Sequence, residues 1–72
     1  PKHPKSALQE WAAAHKRKPP EYVMVGKTGP HHALRFAVTV SIKGAGEASA
    51  EGGSKQEAET AAATALLDKL TG

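Results

Sequence analysis

The stretch Gly52-Gly53-Ser54-Lys55 sets a hydroxyl and a cation behind two residues without side chains, just ahead of a run of helix formers. Free N–H groups at a helix start, the positive end of the helix dipole and the Lys55 ammonium all favour a phosphate in one place. The glycines let a ligand backbone approach closely. A plainer account is an ordinary capped helix with a solvated lysine, because Ser54 followed by Glu57 is a common capping-box spacing. A second polar feature is Gly29-Pro30-His31-His32, a stiff turn able to carry imidazoles and carbonyls into a groove that displays hydroxyls and base edges. Its plainer account is a simple turn. The third comprises Lys5, Gln9, Ala13 and Lys16 at steps of three or four, followed by Arg17 and Lys18, a run whose commoner use is solvation.

Other chemistries find little support. Metal-dependent hydrolysis needs carboxylates converging on divalent ions, whereas Glu10, Glu21, Glu47, Glu51, Glu57, Glu59 and Asp68 are scattered along the chain. No Ser-His-Asp arrangement stands out. A zinc site at His31 and His32 would have only His3 and His15 to add, with no cysteine anywhere, so no metal and no cofactor are expected.

The elements that must position these residues follow from periodicity. Pro4 suits a first helical turn, and Leu8, Trp11, Ala12 and His15 fall on one face, giving a helix over about 5–17 stopped before Pro19 and Pro20. From Glu21 the pattern alternates, with Tyr22 and Met24 on one side and Val23 and Val25 on the other, a strand over about 21–28. Phe36, Val38, Val40 and Ile42 alternate with polar or small residues in a second strand over about 34–43, and the segment over about 46–52 is a third. Turns at Gly29-Pro30 and Lys43-Gly44-Ala45-Gly46 make these strands antiparallel. A second helix over about 54–70 carries Ala58, Ala61, Ala62, Ala65, Leu66 and Leu70 as its buried stripe, and Gly72 follows as its stop. The fold class is α+β: helix, three-stranded antiparallel sheet, helix, with both helices on one face. Trp11, Tyr22 and Phe36 are placed in the core, which disfavours single-strand binding on exposed aromatic platforms.

Seventy-two residues with 39% hydrophobic content bound this to one small domain, 1–72, without a deep substrate cavity. A mean hydropathy of −0.47 and the lack of any apolar stretch near 20 residues predict no membrane insertion. The basic start from Pro1 to Lys5 has no apolar run behind it, so no secretion signal is expected. The net charge of +3 favours a polyanionic partner.

Together, Glu21-Tyr22 opening a strand, Gly29-Pro30-His31-His32 ahead of Phe36, and Gly52-Gly53-Ser54-Lys55 with Ala58 resemble the double-stranded-RNA-binding domain, over nearly the whole chain. Within that family, Leu8-Gln9-Glu10 and Ser54-Lys55-Gln56-Glu57-Ala58-Glu59 are most similar to the carboxy-terminal domain of bacterial ribonuclease III. The resemblance implies shape-selective, largely sequence-independent binding of double-stranded RNA. The first helix and the histidine turn would enter two successive minor grooves, and the second helix would meet phosphates across the major groove between them. Carried over by position, the RNA-binding residues are Lys5, Gln9, Glu10, His31, His32, Ser54 and Lys55, with Gln56 at their margin. It further implies a bacterial, cytoplasmic parent: a dimeric, magnesium-dependent endoribonuclease that processes duplex RNA precursors. Catalysis and magnesium would belong to an amino-terminal domain absent here, leaving this chain without activity of its own, and because no long apolar surface stripe is left over once both helices cover the sheet, the isolated domain is expected to be a monomer.

Two departures bear on strength. The family commonly has lysine at the positions of Gln56 and Glu59, and ribonuclease III relatives often have glutamine at that of Ala13, so modest binding is expected, each lost phosphate contact flattening the salt dependence by about one unit. The losses at Gln56 and Glu59 leave open a protein-interaction module on the same fold, against which His31, His32 and Lys55 stand. A structural RNA protein with one specific site is a third reading, separable by competition with unrelated duplexes.

Overall fold

The computed structural model describes residues 3–72, and the basic start at Pro1 and Lys2 lies outside the described residues. The first helix, α1, spans Pro4–Ala14, with Pro4 in its first turn, where a missing N–H costs nothing. His3 caps it, its Nδ1 accepting from the Lys5 N–H at 3.2 Å. Three strands follow, β1 at Glu21–Thr28, β2 at Arg35–Ile42 and β3 at Gly46–Gly52, and the second helix, α2, spans Lys55–Thr71. The sheet order is β1-β2-β3, antiparallel throughout. This is the α+β architecture that the alternating and helical periodicities require.

Alternation along β2 sorts its residues between faces. Val38, Val40 and Ile42 are buried, while their neighbours Thr39 and Ser41 lie on the other side, where Thr39 Oγ1 and Ser49 Oγ pair at 2.7 Å across β2 and β3. Over the buried face lies α2, contributing Ala58, Ala62, Ala63 and Leu66, and α1 packs against α2 with Leu8 and Ala12. The buried alanine is Ala63 rather than Ala65, which is exposed. A run of four alanines within residues 61–65 has no size contrast to fix the helix rotation, so the sheet decides it.

Only part of β1 is covered. Tyr22, opposite Val40, packs against the core, but Val23, Met24 and Val25 are 54%, 45% and 61% exposed. The cause is geometric: α2 lies over β2 and β3, and β1 is an edge strand beyond its reach. A bulge between Met24 and Gly26 interrupts the pairing at Val25, a feature that twists an edge away from further strand addition.

The first helix ends earlier than its apolar spacing indicates. The Lys16 N–H donates to Ala13 O at 3.2 Å and the Arg17 N–H to Ala12 O at 2.8 Å, with Lys16 at φ 56°, a Schellman closure with lysine in the left-handed position. His15 is therefore the C-cap and exposed, not part of the buried face, and Lys16 falls outside the face formed by Lys5, Gln9 and Ala13.

Candidate nucleic-acid interface

At the start of α2 the capping box forms, with a displaced second half. The Glu57 N–H donates to Ser54 Oγ at 3.1 Å, while the Glu57 carboxylate accepts from the Gly53 N–H at 2.9 Å, one residue before the cap. The Ala58 N–H reaches Ser54 O at 2.9 Å. That leaves the N–H groups of Lys55 and Gln56 without a partner within the described chain, at the positive end of a 17-residue helix. Ser54 Oγ accepts one bond and keeps its own hydrogen to donate. Ser54, Lys55 and Gln56 are all exposed.

The glycines ahead of this helix serve the fold first. Gly52 is buried, and a Cβ there would stand 2.5 Å from Ala58 N and 2.8 Å from the Glu57 carbonyl carbon. Its missing side chain thus presses α2 onto the end of β3. That packing fixes where the helix start lies relative to the sheet.

The β1–β2 connection is equally determined. After Gly29, at φ +93°, Pro30 leads into a single 3-10 turn at His31–Ala33, closed by the Ala33 N–H to Pro30 O at 2.9 Å. A side chain at Gly29 would bring its Cβ to 2.6 Å from Ala33 O, so the turn depends on glycine there. Both imidazoles are exposed. His31, His32, Arg35, Phe36 and Gly53 line one open surface groove of about 540 Å³. The structure therefore brings the histidine turn beside the approach to α2, although more than twenty residues separate them in sequence. Arg35 joins this group without having been singled out beforehand; its charge at the first position of β2 was the available signal.

On α1, Gln9 and Glu10 are exposed. Lys5 is differently placed: its Nζ lies 2.8 Å from Glu59 Oε1 on α2 and 5.0 Å from the centre of the Tyr22 ring. The hydrogen bond to Glu59 holds the Lys5 pKa above its ordinary value, against the opposing effect of desolvation. Burial in turn raises that of Tyr22, whose hydroxyl is enclosed without a hydrogen-bond partner. Among the described residues no group of three or more His, Asp or Glu side chains is placed to hold a metal ion, and no helix is long and apolar enough to cross a membrane.

Comparison with known proteins gives this surface its context. The family model for the double-stranded RNA binding motif matches residues 4–70. The chain belongs to the double-stranded RNA binding motif family. Among curated relatives of this motif domain, Ribonuclease 3 of Zymomonas mobilis is 71% identical over 70 residues, covering 97% of this chain and 28% of that protein. Ribonuclease 3 of Caulobacter vibrioides is 52% identical over 69 residues, covering 96% and 30%. The motif domain thus spans less than a third of the length of the curated relatives it matches. Among solved structures, Arabidopsis HYL1, studied for miRNA processing, superposes with a TM-score of 0.79 at 35% identity, covering 96% of this chain and 97% of that one. The second dsRBD of DRB4 does so with a TM-score of 0.66 at 34% identity, covering 94% and 96%. The resemblance drawn from Leu8-Gln9-Glu10 and Ser54 to Glu59 is thereby supported along essentially the full chain.

Proposed function

We propose that this chain binds A-form double-stranded RNA by shape, and that it does so as the substrate-binding part of a ribonuclease III that processes duplex RNA precursors. The observation that carries the reading is the groove in which the histidine turn and Arg35 meet Gly53, the residue just before the Ser54 cap of α2. It puts hydrogen-bonding imidazoles next to a phosphate-seeking helix end in a family named for duplex RNA. Gln9 and Glu10 of α1 and His31 and His32 of the turn address successive minor grooves, where 2'-hydroxyls distinguish RNA from DNA. Ser54, Lys55 and the free N–H groups of Lys55 and Gln56 take phosphates between them, and Arg35 adds a cation beside the turn. Sugar and phosphate contacts of this kind carry little base information.

The chain supplies binding and orientation, while cleavage and its magnesium belong to a separate domain of the parent protein. The domain acts as a monomer in a cytoplasmic, homodimeric parent. A second reading, a protein-interaction module, draws on the pairing of Lys5 with Glu59, which takes one cation of the surface out of use.

The deciding experiment is binding of a duplex RNA of about 16 base pairs, the span of such a domain, against DNA of the same length. RNA-selective, salt-sensitive binding, weakened by Lys55→Ala and by His32→Ala, is expected. If neither duplex binds at low salt, the RNA reading is wrong and a protein partner takes its place.

A further inference from the structure

Lys55 and Glu59 are four residues apart on α2 and so project from one face of the helix. Lys5 comes to the same place from α1, with its Nζ 2.8 Å from Glu59 Oε1. The Glu59 carboxylate is therefore paired with Lys5 on the helix face that also carries Lys55, near the start of α2. The pair is built: Glu59 is 18% exposed and Lys5 35%, and the Tyr22 ring beneath Lys5, 5.0 Å from its Nζ, gives the cation a second resting contact. Glu57, the other carboxylate of this turn, is committed to the Gly53 N–H and cannot be mistaken for it.

The pairing changes what Lys5 can contribute to binding. A lysine meeting a phosphate normally releases counterions, and that release is what makes affinity fall with salt. A lysine already neutralised by its own carboxylate must first break the pair, after which the bared carboxylate lies within a few ångströms of the incoming phosphate and repels it. We propose that Glu59 is an internal competitor for RNA phosphate: it positions Lys5 in an intramolecular pair and withholds one cation from the duplex. Glu59 thereby lowers both the affinity and the salt dependence of binding. The inference rests on the duplex-RNA reading and deepens it by assigning a residue that sets the strength of the interaction.

The test uses the same duplex RNA of about 16 base pairs, with affinity measured from 50 to 200 mM salt for the native chain, Glu59→Gln, Glu59→Ala and Lys5→Met/Glu59→Gln. The alanine variant guards against a glutamine oxygen that re-forms the bond to Lys5. Releasing Lys5 should tighten binding at 50 mM and steepen the log–log salt slope by about 0.9, an added loss of roughly threefold across that range. Replacing Lys5 in the Glu59→Gln background should return the slope to its native value. A mere packing role for Glu59 would lower the melting temperature without steepening the slope. Unchanged or flatter slopes in both single variants overturn the inference while leaving the duplex reading intact, as does a slope gain that survives loss of Lys5. Failure of the native chain itself to bind RNA overturns both.

Discussion

The Trp11 and His15 rings lie nearly parallel at the end of α1, their centroids 3.9 Å apart and their planes inclined by 16°, with His15 Nδ1 2.8 Å from the Trp11 carbonyl oxygen. The imidazole thus roofs a half-buried indole and adds a side-chain contact to a carbonyl that already accepts the His15 N–H at 3.1 Å. His15→Ala should cost about 1 kcal/mol, a fall in Tm of roughly 4–8 °C for a domain of this size. Because Trp11 is the chain's single tryptophan, its emission should also shift to the red as water reaches the exposed ring face. An unchanged spectrum would mean that the stack does not shield the indole in solution.

Lys16 closes the Schellman turn at φ 56°, where a β-carbon is unfavourable. Lys16→Gly should therefore raise stability by on the order of 1 kcal/mol, while Lys16→Ala, which keeps the β-carbon, should not. Chemical denaturation of the two variants side by side checks this, and equal midpoints would remove the strain argument.

Ser54 has separable duties, because its Oγ accepts the Glu57 N–H while its hydrogen remains available to a phosphate. Aspartate also caps helices well, and its charge suits the helix dipole. Ser54→Asp should accordingly leave Tm unchanged or higher yet weaken duplex RNA binding at least about tenfold by setting a carboxylate at the proposed phosphate position. Ser54→Ala should do the reverse in stability, losing about 1 kcal/mol. Retained affinity in the aspartate variant would exclude this helix end from the interface.

Lys5 and Tyr22 both titrate above their ordinary values of 10.5 and 10.0, Lys5 chiefly through the Glu59 hydrogen bond and Tyr22 chiefly through burial. Each therefore holds its proton more firmly in the folded chain than in the unfolded one. Their contribution to stability is complete below pH 10 and is lost as the pH rises through the raised values, since the unfolded state then sheds protons first. Denaturation midpoints from pH 9 to 12 should fall in the native chain and fall less in Tyr22→Phe. That variant also deletes a buried hydroxyl without a partner, so near neutrality it should gain up to about 1 kcal/mol. A loss of stability in Tyr22→Phe at neutral pH would show that the hydroxyl finds a partner in solution.

What could be read from the chain was what is encoded locally. Val38, Val40 and Ile42 alternate with small or polar residues, and Ser54 stands three residues before Glu57, so β2 and the start of α2 were legible without tertiary information. Ala63 was not separable from Ala65, because alanines in series carry no amphipathic contrast. His15 continued an apolar spacing that the turn at Lys16 cut short, and turn geometry with lysine in place of glycine leaves no mark in composition. At the candidate site the sequence offered individual polar residues, but not their company. The pairing of Lys5 with Glu59 joins residues 54 positions apart, and the histidine turn with Arg35 meets Gly53 only through the pairing of β2 with β3. Such relations belong to the folded chain.

Ala58, Ala62 and Ala63 keep the α2 side of the core thin over the first half of the helix, ahead of Leu66, and Gly52 continues that closeness to the end of β3. The histidine turn is carried by the sheet and Ser54 and Lys55 by the helix, so the thickness of this hydrocarbon layer gauges the separation between them. Interior volume and exterior reach are then one dimension. A methyl group added along the alanine seam alters the spacing between the histidine turn and the start of α2 without changing a single residue of either.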